Sequence, residues 1–118
     1  MRSKDNKKKI DPLKNAFGKY FNQLELIEAD LLNEFSLKEA IKGSDYVIHV
    51  ASPFPAAQPK HENDIIKPAV DGTVAVIRGC HAAKIKRLVL TSSIVAIYDG
   101  DNRDQQLYSA KDWSNPKY

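Results

Sequence analysis

Three hydroxyls stand side by side at the end of an apolar run: Thr91, Ser92 and Ser93 close the stretch RLVLTSS at residues 87–93. A hydroxyl at a strand end has two ordinary uses. It can accept a hydrogen bond from the backbone of the next turn, or it can hold a reacting oxygen in place. Two other run ends carry related groups. LELIEAD (24–30) stops at the carboxylate of Asp30, followed by Leu31. DYVIHVAS (45–52) ends in Val50, Ala51 and Ser52, small enough at its tip to let a ligand approach the backbone. A carboxylate, small residues and hydroxyls suit a nucleotide, provided that the fold gathers them on one rim.

The elements between these ends say how that gathering could happen. Short apolar runs without strict alternation read as strands buried on both faces, as in parallel sheets. Helical patterns separate them. FSLKEAIKG (35–43) reads as a helix with Ser36 as N-cap, Glu39 three residues on, and Gly43 as its stop. The segment 62–84 places Ile66, Val70, Thr73, Val74, Ile77 and Cys80 at steps of three and four, a stripe expected to face the core. Pro68 lies inside it, so the regular helix starts there or is kinked there. A weaker helix is expected over roughly 8–20, with Pro12 in the same position of strain. Alternating helix and strand predicts βαβ units and a parallel sheet of three strands, with the rim at the carboxyl ends. The tail, 99–118, is polar and reads mostly as loop.

Composition narrows the function classes. The chain has 118 residues, 42% hydrophobic and 28% charged, which is ordinary globular usage for a single domain and excludes disorder throughout. Five cations against one acid give +4 over residues 1–10; with +3 overall, the rest carries −1. The basic run KDNKKK (4–9) is therefore a local feature, and no aromatic residues interleave with its lysines, so no nucleic-acid partner is expected. No run approaches the roughly 20 apolar residues of a membrane span. Cys80 is the only cysteine, which rules out an internal disulfide and a cysteine-rich zinc site. A soluble cytoplasmic protein is the expectation. His49 sits in a strand pattern and is expected to be packed and hydrogen-bonded; His61 and the adjacent Cys80-His81 fit no metal-ligand spacing, and no metal is expected.

The order and spacing of EADL, GSDYVIHVASP, IIKPAVDGT and KRLVLTSS resemble the extended short-chain dehydrogenase/reductases of the NAD-dependent epimerase/dehydratase superfamily. The closest likeness is to the dihydroflavonol 4-reductase and cinnamoyl-CoA reductase group, from Arg2 to about Trp113. The resemblance implies a Rossmann-type α/β domain with NADP as cofactor and NAD as the alternative. It implies that Arg2 contacts the adenosine 2′-phosphate with help from Lys9, through charge-assisted hydrogen bonds. Asp30 and Leu31 match the pair flanking adenine. Val50, Ala51 and Ser52 match the stretch passing the adenosine and pyrophosphate, and Thr91 and Ser92 lie on the same cofactor rim. Ser93 matches the catalytic serine that orients the substrate carbonyl while a tyrosine, activated by lysine, donates the proton. The reaction implied is reduction of a ketone, aldehyde or activated acyl group to the alcohol stage. A small-molecule carbonyl substrate follows, as does a homodimer through the 62–84 helix.

Two parts of that pattern are missing. No glycine-rich phosphate turn precedes the second strand of the family's order, and Tyr108 is followed at the Tyr-x-x-x-Lys spacing by Asp112. Tyr118 is the last residue. The expectation is an internal fragment, one partial dinucleotide-binding domain over 1–118 that lacks the first βα unit and is inactive alone. In such a fragment LELIEAD loses its neighbour and is expected to pair directly with DYVIHVAS. Tyr98 lies near where flavonoid enzymes place a polar substrate contact, which argues against a flavonoid substrate. The remaining readings are a non-catalytic relic and an interaction module acting through the 62–84 helix. Trp113 and Tyr108 are expected to pack on the domain.

Overall fold

A computed structural model describes residues 1–53, 59–98 and 107–115 of the chain. The order is α1 (Lys7–Phe17), a 3₁₀ turn (Gly18–Gln23), α2 (Glu34–Ile41), β1 (Tyr46–His49), α3 (Asn63–Ala82), β2 (Arg87–Leu90) and a second 3₁₀ turn (Ile94–Ala96). The strands pair in parallel, Tyr46 opposite Arg87 through His49 opposite Leu90. Parallel neighbours need a crossover, and α3 supplies it. Thr91 N–H extends the ladder by donating to the His49 carbonyl at 3.0 Å. At the other end the Lys86–Asp45 ion pair, 2.8 Å, sits beside a backbone bond between the same residues.

The core lies between the helices and one face of this sheet. Leu37 and Ile41 of α2 meet Ala75, Val76 and Cys80 of α3, with Val47 and Leu88 packed against them from the strands. The inner face of α3 is therefore Gly72, Ala75, Val76, Gly79 and Cys80. This corrects the expected stripe: Ile66, Val70 and Ile77 are about half exposed. Close approach decided the matter. A Cβ at Gly79 would lie 2.9 Å from Ile41 Cδ1, so the two helices touch where α3 carries no side chain. Cys80 is buried as expected, and burial pushes its thiol pKa up. Pro68 sits inside α3, one turn past its start, and Pro12 inside α1.

Local capping differs from the expectation in one helix. The N-cap of α2 is Asn33, whose Oδ1 accepts from Ser36 N–H at 3.1 Å; Ser36 is the third helical residue and not the cap. Gly43 does end the segment, at φ +81°, a conformation open to glycine. Arg78 of α3 lies 3.9 Å from Glu34 of α2, and Lys38 pairs with Glu34 at 2.9 Å. The Lys38 ammonium holds the Glu34 carboxyl below its ordinary pKa.

The third expected strand is not there. Residues 24–30 form no strand, so the sheet of the described residues has two strands, not three. Nor do they pair with β1. The Met1 ammonium donates to Ile27 O at 2.9 Å, Ala29 N–H donates to Met1 O at 2.9 Å, and Lys4 N–H donates to Glu28 Oε1 at 2.7 Å. Backbone groups need partners, and the first residues of the chain supply them. Of the tail, 107–115 is described and contains no helix or strand; 99–106 and 116–118 lie outside the described residues. Tyr108 stacks at a tilt on Tyr98, ring centroids 5.5 Å apart, and Ser114 N–H donates to Ala96 O. Trp113 does not pack as expected, being 73% exposed. No helix of the described residues is long and apolar enough to cross a membrane.

Candidate functional site

A hollow of about 710 Å³ opens beyond the carboxyl end of β1. Three separate segments build its walls. The N-terminus contributes Met1 and Arg2, the turn after residue 28 contributes Ala29 to Leu32, and the end of β1 contributes His49, Ala51, Ser52 and Pro53. Leu37 of α2 and the first turns of α3, Asp64 and Pro68, close it from the helix side.

The Asp30 turn is held by a set of local hydrogen bonds. Asp30 Oδ1 accepts from Leu32 N–H at 3.0 Å, the turn that an aspartate makes with its own backbone. Asn33 N–H donates to Asp30 O at 2.9 Å, and Ser36 Oγ accepts from Asp30 N–H at 3.0 Å while donating to Asn33 O at 2.8 Å. Ser36, expected as a helix cap, is thus the clamp between α2 and this turn. Asp30 Oδ1 is engaged by Leu32 N–H, and among the described residues no hydrogen bond engages the other carboxylate oxygen. Ala51 and Ser52 are exposed and continue past the paired end of β1 without regular structure.

Of the residues singled out in the sequence, Arg2, Asp30, Leu31, Ala51 and Ser52 share the hollow. Five others do not line it. Lys9 is exposed on the first turn of α1, and Val50 is 67% exposed. Thr91, Ser92 and Ser93 are exposed at the end of β2. Ser93 caps the turn that follows: its Oγ accepts from Val95 N–H at 3.3 Å. One hollow shared by all three ends is the expectation; Asp30 and Ala51 share it, and Ser93, on the neighbouring strand end, does not line it.

Two lining groups were missed by sequence reasoning. Asp64 stands in the first turn of α3, with Oδ2 accepting from His61 N–H at 3.2 Å; nothing in the sequence marked it. His49 is the one buried polar residue among those described, 8% exposed, and burial lowers its pKa. It is packed as expected, but the expected hydrogen bond is not there: its imidazole has no partner among the described residues. Its place immediately before Val50-Ala51-Ser52 was the available signal.

The profile of the 3-beta hydroxysteroid dehydrogenase/isomerase family matches residues 1–116. Among curated relatives, an anthocyanidin reductase ((2S)-flavan-3-ol-forming) of Vitis vinifera is 43% identical over 98 residues, 82% of this chain and 28% of that protein. Cinnamoyl-CoA reductase 1 of Petunia hybrida is 41% identical over 97 residues, 81% of this chain and 28% of its own length. Dihydroflavonol 4-reductase of Gerbera hybrida is 40% identical over 93 residues, 78% and 25% respectively. The chain therefore spans between a quarter and a third of the length of these relatives.

Proposed function

The chain belongs to the 3-beta hydroxysteroid dehydrogenase/isomerase family, and on that premise we propose that the whole protein is an oxidoreductase using NADP(H). It reduces a ketone, aldehyde or activated acyl group to the alcohol stage, and these residues supply part of its dinucleotide-binding domain. The observation that carries this reading is the shared hollow, where Arg2, Asp30, Leu31, Ala51 and Ser52 converge from three segments.

The residues fit the adenosine end of such a cofactor. Arg2 offers a guanidinium fork suited to a 2′-phosphate, Asp30 an acceptor held by its own turn, and Ala51 a backbone that a ligand can approach. Bound NADP(H) supplies the hydride. Ser93 serves the substrate side. Its Oγ spends one lone pair on Val95 N–H, which leaves the hydroxyl hydrogen to orient a carbonyl oxygen. Capping and catalysis are compatible uses of the same side chain. No residue of this chain is assigned as the general acid.

Fluorescence titration of NADPH against the protein encoded by the surrounding open reading frame tests the proposal. Saturable binding is expected, with the preference for NADPH over NADH lost in Arg2→Gln. Failure to bind either nucleotide overturns it. The exposed outer stripe of α3, Ile66, Val70 and Ile77, supports self-association through that helix. Light scattering should then show a dimer that Val70→Glu converts to monomer.

A further inference from the structure

A neutral imidazole carries one N–H donor and one acceptor. His49 is more than nine-tenths buried, yet neither ring nitrogen has a hydrogen-bond partner among the described residues. At the same time no described side-chain nitrogen or oxygen is both sealed from solvent and unpartnered. The two facts agree only if the ring reaches open space, and the hollow beside Asp30, Ala51 and Ser52 is the space it borders. Buried polar groups are normally satisfied, so an unsatisfied one calls for a reason.

The charged groups around the hollow do not supply the missing partner. The Asp30 carboxylate is turned to Leu32 N–H and the Asp64 carboxylate to His61 N–H. The cations there are Arg2 and the Met1 ammonium, and the ammonium donates to Ile27 O. Burial lowers the His49 pKa from its ordinary value. The ring is therefore neutral near pH 7, with a donor and an acceptor both available to a guest.

We propose that His49 is a ligand-contacting residue of the hollow, its neutral imidazole hydrogen-bonding an uncharged polar group of the bound nucleoside, a ribose hydroxyl or a base nitrogen. This rests on the dinucleotide reading above. It goes beyond that reading by assigning the contact to a strand residue that faces the helix layer.

The test follows the imidazole nitrogen resonances of the 118-residue chain during titration with adenosine 2′,5′-bisphosphate at about pH 7.5. His49 should shift in step with the backbone amides of Ala51 and Ser52, while the exposed His61 and His81 stay in place. Shifts at Ala51 and Ser52 with His49 silent overturn the inference and leave the dinucleotide reading standing. Silence at all of them overturns the inference for this chain, and NADPH titration of the longer protein then decides the dinucleotide reading separately. Where folded variants are obtained, His49→Phe should weaken binding about five- to tenfold and His49→Asn about twofold or less. Equal losses in the two variants would make His49 a packing residue only. Because the unsubstituted chain gives the first readout, a variant that fails to fold does not remove the test.

Discussion

The two faces of the small sheet are made from the same strands and from similar residues, yet they differ in burial. On one face Val47, His49 and Leu88 pack toward α2 and α3. On the other, Tyr46, Ile48 and Val89 are 65%, 72% and 50% exposed. Alternation along a strand puts these sets on opposite sides. Apolar character alone does not bury a side chain; a second layer does, and among the described residues only one face has one.

The strongest way to break the comparison is to remove its covered side. Leu37 is 9% exposed and packs in the cluster with Val76 and Cys80. Leu37→Ala should cost about 2–4 kcal/mol, the usual range for a buried large-to-small change, read as a lower urea midpoint. A smaller blow to the same layer comes from Asn33→Ala. Losing the side-chain cap on Ser36 N–H should cost about 1 kcal/mol. Circular dichroism should show α2 fraying first.

The sequence made the covered layer legible where patterns were local. The two long helices, both strands and the Gly43 stop follow from period and turn chemistry. It misread the places settled by a partner elsewhere. LELIEAD alternates like a strand, but its backbone groups at Ile27 and Ala29 found Met1 instead of β1, and the Glu28 side chain found Lys4 N–H. The stripe of α3 was read from its large residues, whereas contact with α2 selected the side bearing Gly72 and Gly79. In the site, Asp30, Leu31, Ala51 and Ser52 gather as their placement at strand ends suggested, joined by Arg2, which only the family resemblance had pointed to. Asp64 was missed because nothing local marks a residue that meets the hollow from a helix start, and His49 because its strand pattern read as packing although it directly precedes Val50-Ala51-Ser52.

His49 sharpens the comparison by titration, since it is the buried polar residue among those described and the Cys80 thiol, pushed up by burial, titrates at higher pH. Burial lowers its folded-state pKa below the ordinary 6.5. In the window between the two values the unfolded chain holds the extra proton, so stability rises with pH. The contribution is fully present above about pH 6.5 and is lost as pH falls toward the folded-state pKa. The urea midpoint should therefore be lower at about pH 5.5 than at about pH 7.5, and His49→Phe should flatten that slope. Glu34 does not confuse the reading, because Lys38 holds its titration below the ordinary carboxylate range.

The smallest expected effect lies on the bare face and decides most about it. Ile48 is 72% exposed, and a surface substitution away from special features stays within about 0.5 kcal/mol. Threonine keeps the β-branch, so strand preference is preserved while apolar area is lost. Ile48→Thr should therefore leave the urea midpoint near that of the unsubstituted chain at every protein concentration. A cost like that of Leu37→Ala would mean that this face is covered in solution. Its dependence on concentration then names the cover. A cost that grows as the protein is concentrated places a second copy of the chain on the sheet, because association stabilises by mass action. A cost that is constant places some segment of the same chain there. Either result would turn the asymmetry of the two faces into a property of the isolated two-stranded sheet and not of the protein in solution.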